Sequence, residues 1–259
     1  MRAAIREDEI TVLIPSNGRP ESLRGCLQSV RENVGNATPI VVLDSTPDSA
    51  PRRTRTGYER VAAAFDRVKY IRTGYSVGPA EARKRLVGVS DTPYVLFMDD
   101  DHQVLPGTLD ALARALVGGA FDIVGGRWLD RKIERPVGFL HMEAPSESGT
   151  DLVKVPVRYS EDLEGRVLPV DEVLATMLCR RSIFSNVDFD PQYDFYFELF
   201  DFFRSCRTTG LQIGAVVDAV FVHHPRKYRS VSTRQTQVRS VDHARFATKW
   251  NVRPVSLPL

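Results

Sequence analysis

The sequence predicts an α/β fold: a mostly parallel sheet covered by helices on both faces, followed by a smaller, partly antiparallel portion. Three observations carry this expectation. Apolar runs without polar alternation, such as Ile40-Val41-Val42-Leu43 and Tyr94-Val95-Leu96-Phe97-Met98, recur in the first half, as strands buried on both faces do. Between those runs apolar residues return at helical spacing. The regular exchange of the two patterns belongs to βαβ units rather than to hairpins.

Each element follows in order. Ile10-Thr11-Val12-Leu13-Ile14-Pro15 reads as the first strand, and after Asn17-Gly18-Arg19-Pro20 the residues Leu23, Leu27, Val30 and Val34 mark a helix. The second strand, Ile40 to Leu43, ends at Asp44, and Tyr58, Val61, Phe65 and Val68 mark a second helix. Tyr70-Ile71 is a short third strand. Gly78 and Pro79 then open a helix running to about Val89, because proline at the first helical position has no N–H to lose. Tyr94 to Met98 is a fully apolar strand that runs straight into Asp99-Asp100-Asp101, and Leu109, Leu112 and Leu116 mark the helix beyond. Phe121 to Gly126 reads as another strand. Arg127 to Leu168, rich in Gly, Pro and charge with short alternating pieces such as Val153-Lys154-Val155, predicts a loop-rich region. A helix is expected from near Tyr196 to Arg207, ended by Gly210. Leu211 to Val222 is one long strand or a pair, stopping at His223-His224-Pro225.

Composition narrows the function classes. The 259 residues suffice for a large core without staples, and 42% hydrophobic with 26% charged residues excludes disorder as the main state. No run approaches the roughly 18–20 apolar residues of a membrane span, and the charged start Met1 to Ile10 is unlike a secretory signal. Cys26, Cys179 and Cys206 form no CxxC pair, so neither a disulfide framework nor a zinc ligand set is expected. A cytoplasmic protein is the resulting expectation. The net charge of +2, from 35 basic and 33 acidic residues, argues against nucleic acid as a partner. Basic residues nonetheless gather between Arg226 and Arg253, where Asp242 is the single acid. That stretch reads either as a solvated tail or as a site for phosphate or an anionic membrane surface, which the reading allows without requiring.

In an open α/β sheet, ligands sit at the carboxyl ends of the strands. Asp44 and Asp99-Asp100-Asp101 stand at such ends. Divalent cations prefer carboxylate oxygen, and a cation shared with a diphosphate holds a nucleotide without a glycine-rich phosphate loop. If the extended backbone continues past Met98, Asp99 and Asp101 project to one side and Asp100 to the other. Further along, Asp194, Glu198 and Asp201 have the i, i+4, i+7 spacing of one helix face, opposite Tyr196, Leu199, Phe200 and Phe203. His223 and His224 follow an apolar strand and precede Arg226, Lys227 and Arg229. Trp128 reads as a platform for a sugar ring or as a core filler. His102 and His141 read as structural.

Four segments together resemble family 2 glycosyltransferases of the GT-A fold. They are Thr11-Val12-Leu13-Ile14-Pro15-Ser16-Asn17-Gly18-Arg19, Leu43-Asp44-Ser45, Gly78-Pro79-Ala80-Glu81-Ala82-Arg83 and Leu96-Phe97-Met98-Asp99-Asp100-Asp101. The resemblance covers roughly the first 110 residues. It implies a single GT-A-like domain over residues 1–259, with a nucleotide-binding half (1–117) and an acceptor-binding, catalytic half (118–259). It also implies a nucleotide-diphosphate sugar donor. Pro15, Asn17, Arg19 and Asp44 would surround base and ribose, Arg83 would stand near base or phosphates, and Asp99 and Asp100 would contact the donor. Asp101 would bind Mn²⁺ or Mg²⁺, with His223 or His224 completing the metal shell and the basic residues beyond closing over the diphosphate.

The segment Tyr196-Phe197-Glu198-Leu199-Phe200-Asp201-Phe202-Phe203-Arg204 is similar to the family's acidic segment, which supplies the catalytic base. Leu199 occupies the place where a strict Glu-Asp pair would have its Asp. The expected base is therefore Asp201 first and Glu198 second, with Trp128 as acceptor contact. The implied reaction is metal-dependent transfer with inversion to a sugar-containing or small-molecule acceptor. Rival readings fit less well: a phosphatase wants Asp-x-Asp-Gly-Thr, which Asp99-Asp100-Asp101-His102-Gln103 lacks, and a nucleotidyltransferase wants a glycine-rich opening loop. A degenerate module that binds nucleotide-sugar without turnover is the remaining alternative, supported by Leu199.

Overall fold

Two cores, one on each face of a single sheet, organise the chain. The computed structural model describes residues 5–130, 135–147, 149–194, 197–224 and 233–256. The first half runs β1 (Ile10–Ser16), α1 (Pro20–Asn33), β2 (Ile40–Asp44), α2 (Arg52–Ala63), β3 (Val68–Arg72), α3 (Pro79–Gly88), β4 (Tyr94–Phe97), β5 (His102–Val104) and α4 (Thr108–Val117). The second runs β6 (Ile123–Asp130), β7 (Gly138–Ser146), β8 (Gly149–Val157), β9 (Val167–Val170), β10 (Met177–Arg180), α5 (Glu198–Thr208), β11 (Ile213–His223), α6 (Thr233–Trp250) and β12 (Arg253–Ser256).

The main sheet has the order β3-β2-β1-β4-β10-β6-β11-β5, with β9 also paired to β11. β1 to β4 are mutually parallel, as are β6 and β11, while β10, β5 and β9 pair antiparallel. Successive strand residues point to opposite faces. Leu13, Val41, Leu43, Val95 and Phe97 enter one core with residues of α3, α5 and α6, whereas Val12, Ile14, Val42, Leu96 and Met98 enter the other with α1, α2 and α4. Each Val, Leu or Phe so enclosed contributes about 1.5–3 kcal/mol, which explains why the strands read as uninterrupted apolar runs.

The structure departs from the sequence reading in three places and decides between its alternatives in a fourth, Leu211 to Val222. Val68 opens β3 rather than closing a helix, because α2 stops at Ala63 and Arg67, at φ 54°, turns the chain. Arg127 to Leu168 is less irregular than its composition suggests. It completes β6 and forms the hairpin β7-β8, which joins β12 in a separate three-stranded sheet. Leu211 to Val222 is one strand, with a register shift between Val216 and Val220. The basic stretch is not simply a solvated tail: much of it forms α6, whose Lys249 pairs with Asp190 and Asp201 and whose Arg245 pairs with Asp242. Arg226, Lys227, Arg229 and Tyr196 lie outside the described residues. No helix among the described residues is long and apolar enough to cross a membrane.

Candidate active site

The acid cluster follows β4 but does not continue it. The amide of His102 donates to the carbonyl of Asp99 at 3.1 Å, closing a turn through Asp100 and Asp101. The expected alternation of the three carboxylates is therefore replaced by a different division. Asp99 accepts from Arg83 Nη2 at 3.1 Å, whereas Asp100 and Asp101 share Arg19. Its Nε reaches Asp100 at 3.1 Å and its Nη1 reaches Asp101 at 2.6 Å. Asp100 is fully buried and also accepts from the Ser16 hydroxyl. Burial pushes its carboxyl up to about 7, against the opposing pull of Arg19 and Ser16. Burial acts on Asp101 in the same direction, but the adjacent His102 ring and the charge of Arg19 outweigh it and hold Asp101 at about 2. One carboxyl of the turn is thus poised to be neutral while its neighbour stays anionic.

The loop after β1 forms the adjoining wall. Gly18 has φ 70°, a left-handed conformation that glycine adopts without strain, and its amide donates to Thr46 Oγ1 at 2.8 Å. Exposed Asn17 donates to the carbonyl and hydroxyl of Ser45 at 3.2 and 3.1 Å, and half-buried Pro15 precedes it in β1. Asp44 is fully buried. Its oxygens accept from the Thr46 amide at 2.8 Å and the Tyr70 hydroxyl at 2.7 Å, so it fixes the shape of the loop.

Imidazoles meet the acid turn from the far side of the sheet. β5 pairs antiparallel with β11, so that His102 faces His223 directly, and the two rings stack with centroids 4.7 Å apart at 16°. Asp101, His102 and His223 offer ligand atoms that all lie within 4.8 Å of one another. His102 Nδ1 is 3.2 Å from Asp101, and neither of its buried ring nitrogens has a hydrogen-bond partner among the described residues. Burial, with His102 alongside, lowers the pKa of His223 and favours the neutral ring that metal ligation needs. The His224 ring is not part of this group, with Nε2 3.1 Å from Gln103 Oε1, while the His224 amide donates to the Asp101 carbonyl at 2.9 Å. Trp128 stands against both imidazoles, at centroid distances of 4.2 and 4.9 Å, and its indole N–H donates to Thr176 Oγ1 at 2.7 Å. The sequence reading left His102 as structural. The available signal was its position directly after Asp101 at the start of a short strand.

The two base candidates have different surroundings. α5 begins at Glu198, so exposed Asp194 precedes the helix and the expected three-acid face does not form. Asp201 is fully buried and accepts from Lys249 Nζ at 2.8 Å, Trp250 Nε1 at 2.8 Å and Tyr193 Oη at 3.2 Å. Those bonds fasten α6 and the loop before α5 to the helix. Glu198 instead accepts from Arg83 Nη1 at 3.3 Å, and Arg83 is the residue that also holds Asp99. Burial raises the Glu198 pKa, with Arg83 opposing. Two backbone details place this carboxyl. A Cβ on Gly78 would come within 2.5 Å of the Asp194 carbonyl oxygen, so only glycine lets the loop before α5 approach α3 so closely. Phe197, at φ 67°, turns the chain immediately before Glu198, a strained conformation for an aromatic residue.

The sheet, with carboxylates and imidazoles gathered at its carboxyl edge, has the GT-A-type fold. Solved structures of that fold are similar to the chain. GalNAc-T7 with UDP, GalNAc and Mn²⁺ superposes with a TM-score of 0.64 at 14% identity, covering 90% of this chain and 48% of that one. Residues 1–349 of S. aureus TarS with UDP-GlcNAc give a TM-score of 0.61 at 13% identity, covering 92% and 66%. Among curated proteins, the GalNAc(5)-diNAcBac-PP-undecaprenol beta-1,3-glucosyltransferase of Campylobacter jejuni is 22% identical over 125 residues, 48% of this chain and 40% of that protein. The chain thus spans less than half the length of the Campylobacter relative and of GalNAc-T7. The sequence profile of glycosyl transferase family 2 matches residues 11–188. The chain belongs to glycosyl transferase family 2.

Proposed function

We propose that the chain forms one GT-A domain over residues 1–259, with nucleotide-binding (1–117) and acceptor-binding (118–259) halves, and transfers a sugar with inversion from a uridine-diphosphate sugar to a sugar-containing or small-molecule acceptor. The observation that carries this reading is Arg83, whose guanidinium joins Asp99 of the acid turn to Glu198. A base candidate thereby stands one side chain away from the donor-side carboxylates. Glu198 is the group we assign to take the proton from the acceptor hydroxyl. It is enclosed, burial raises its pKa, and it forms an ion pair with Arg83. Asp201 is committed to Lys249, Trp250 and Tyr193, and serves the fold. Glu198 also argues against a binding module without turnover, since Leu199 removes one acid of the segment and leaves the other in place.

Asp101, His102 and His223 are assigned to the metal. The set fits a divalent ion because the buried ring nitrogens of His102 lack a hydrogen-bond partner among the described residues, and two imidazoles with one carboxylate favour Mn²⁺ over Mg²⁺. A bound ion would supply positive charge against the leaving diphosphate. Arg19 balances the remaining charge of Asp100 and Asp101, and Asn17 with the loop fixed by Asp44 frames the nucleotide side. The UDP and UDP-GlcNAc in the names of the similar structures support a uridine donor.

Calorimetric titration with UDP, GDP, dTDP and CDP, each with Mn²⁺ and with EDTA, tests the reading. Metal-dependent binding of UDP is expected. Absence of binding to all four would overturn it.

A further inference from the structure

The bulge in β11 has a consequence for the metal group. From Ile213 to Val216 the strand pairs with β6 in one register, and from Val220 onward in another. Continued in the first register, Asp130 would face Val220. After the shift it faces His223, the last pair of the ladder. Gly126 makes the shift sterically feasible, since a Cβ there would lie 2.6 Å from the Ala219 carbonyl oxygen. Bulges of this kind re-aim side chains beside active sites.

Asp130 Oδ2 lies 3.3 Å from His223 Nδ1, and the Asp130 side chain is only 2% exposed. Arg135 Nη2 donates to the same oxygen at 3.3 Å. A carboxylate oxygen engaged in this way is an acceptor. Nδ1 of His223 must therefore carry the proton, and its lone pair is left on Nε2. Trp128 closes the remaining side, with its ring against His223 and its N–H anchored on buried Thr176.

We infer that Asp130 is a positioning residue of the metal centre: it fixes His223 in the Nδ1–H tautomer and in the orientation that presents Nε2 to the group formed with Asp101 and His102. The inference rests on the metal reading proposed above. Carboxylate partners of this kind set the tautomer and basicity of ligating histidines, and their loss typically costs about 10–100-fold in metal affinity.

Two measurements test it. Long-range ¹H–¹⁵N spectra of the metal-free wild-type protein should show His223 protonated at Nδ1; protonation at Nε2 instead would overturn the inference without any variant. Mn²⁺ affinity, read from the electron paramagnetic resonance of free Mn²⁺, should fall about 10–100-fold in Asp130→Ala and recover in part in Asp130→Asn, which keeps an acceptor oxygen. His223→Ala should lose the site. Wild-type affinity in Asp130→Ala, with His223→Ala inactive in binding, would overturn the positioning role and leave the metal centre standing. A wild-type protein that binds no Mn²⁺ would overturn both.

Discussion

The turn after β4 and the first turn of α5 both set carboxylates around an arginine, yet they prepare opposite chemistry. In the first, His102 and Arg19 outweigh burial and hold Asp101 at about 2, an anion at any working pH. In the second, burial outweighs Arg83 and raises Glu198. The residue types are nearly the same. What differs is the balance of burial against partners: the partners win at Asp101, whereas burial wins at Glu198 and, within the first turn itself, at Asp100.

The largest effect that would break this comparison is expected at Glu198. Glu198→Gln should lower kcat by about 10²–10⁴-fold, the usual share of a general base, while the UDP affinity measured by calorimetry changes little. Retention of full turnover would move the base elsewhere. Asp201→Ala should act in another way. It leaves Lys249, Trp250 and Tyr193 without their shared acceptor, and breaking so buried a cluster costs about 3 kcal/mol, with Lys249, more than a third exposed, contributing least. For a chain of this length the melting temperature should drop roughly 6–12 °C, with kcat of the folded fraction largely preserved. A collapse of kcat without loss of stability would return the catalytic role to Asp201.

That pair also shows how far the sequence could be read. The apolar strands and the acid turn are local: each lies within a few residues of a strand end, and strand ends are where such a sheet binds ligands; His223 instead reaches Asp101 and His102 only through the pairing of β11 with β5. The choice between Glu198 and Asp201 is not local. Helical spacing suggested a common acidic face, but the helix starts only at Glu198, and the partners of Asp201 come from α6, nearly fifty residues on. α6 itself was hard to read because Phe246 is the fully buried apolar anchor of a helix otherwise dominated by polar residues. The link between Glu198 and Asp99 passes through Arg83 on α3 and depends on the close approach at Gly78, which only the packed fold reveals.

A middle-sized effect is expected in the pH dependence. A base acts when ionised, so kcat should rise with pH through the Glu198 pKa, and the acid limb of the profile should lie above the ordinary carboxylate range. Arg83 lowers that pKa against the effect of burial. Arg83→Gln removes the lowering, so the limb should move to higher pH. A limb that stays in place would mean that Glu198 does not feel Arg83 during turnover, and the contrast between the two turns would lose one of its terms.

The smallest effect sharpens the other side of the comparison. Trp128 lies against His102 and His223 and is tied to Thr176, so its role here is to back the imidazoles. Trp128→Phe keeps a ring in that place but loses the hydrogen bond, a net change of about 0.5–1.5 kcal/mol. Spread over the positioning of two histidines, this should weaken Mn²⁺ several-fold, readable in the metal dependence of UDP binding, and leave the KM for acceptor unchanged. The sequence reading of Trp128 as a sugar platform predicts the reverse: unaltered metal dependence and a raised acceptor KM. A ring that served both would move the two constants together, and the acid turn would then be joined to acceptor binding as well as to the metal.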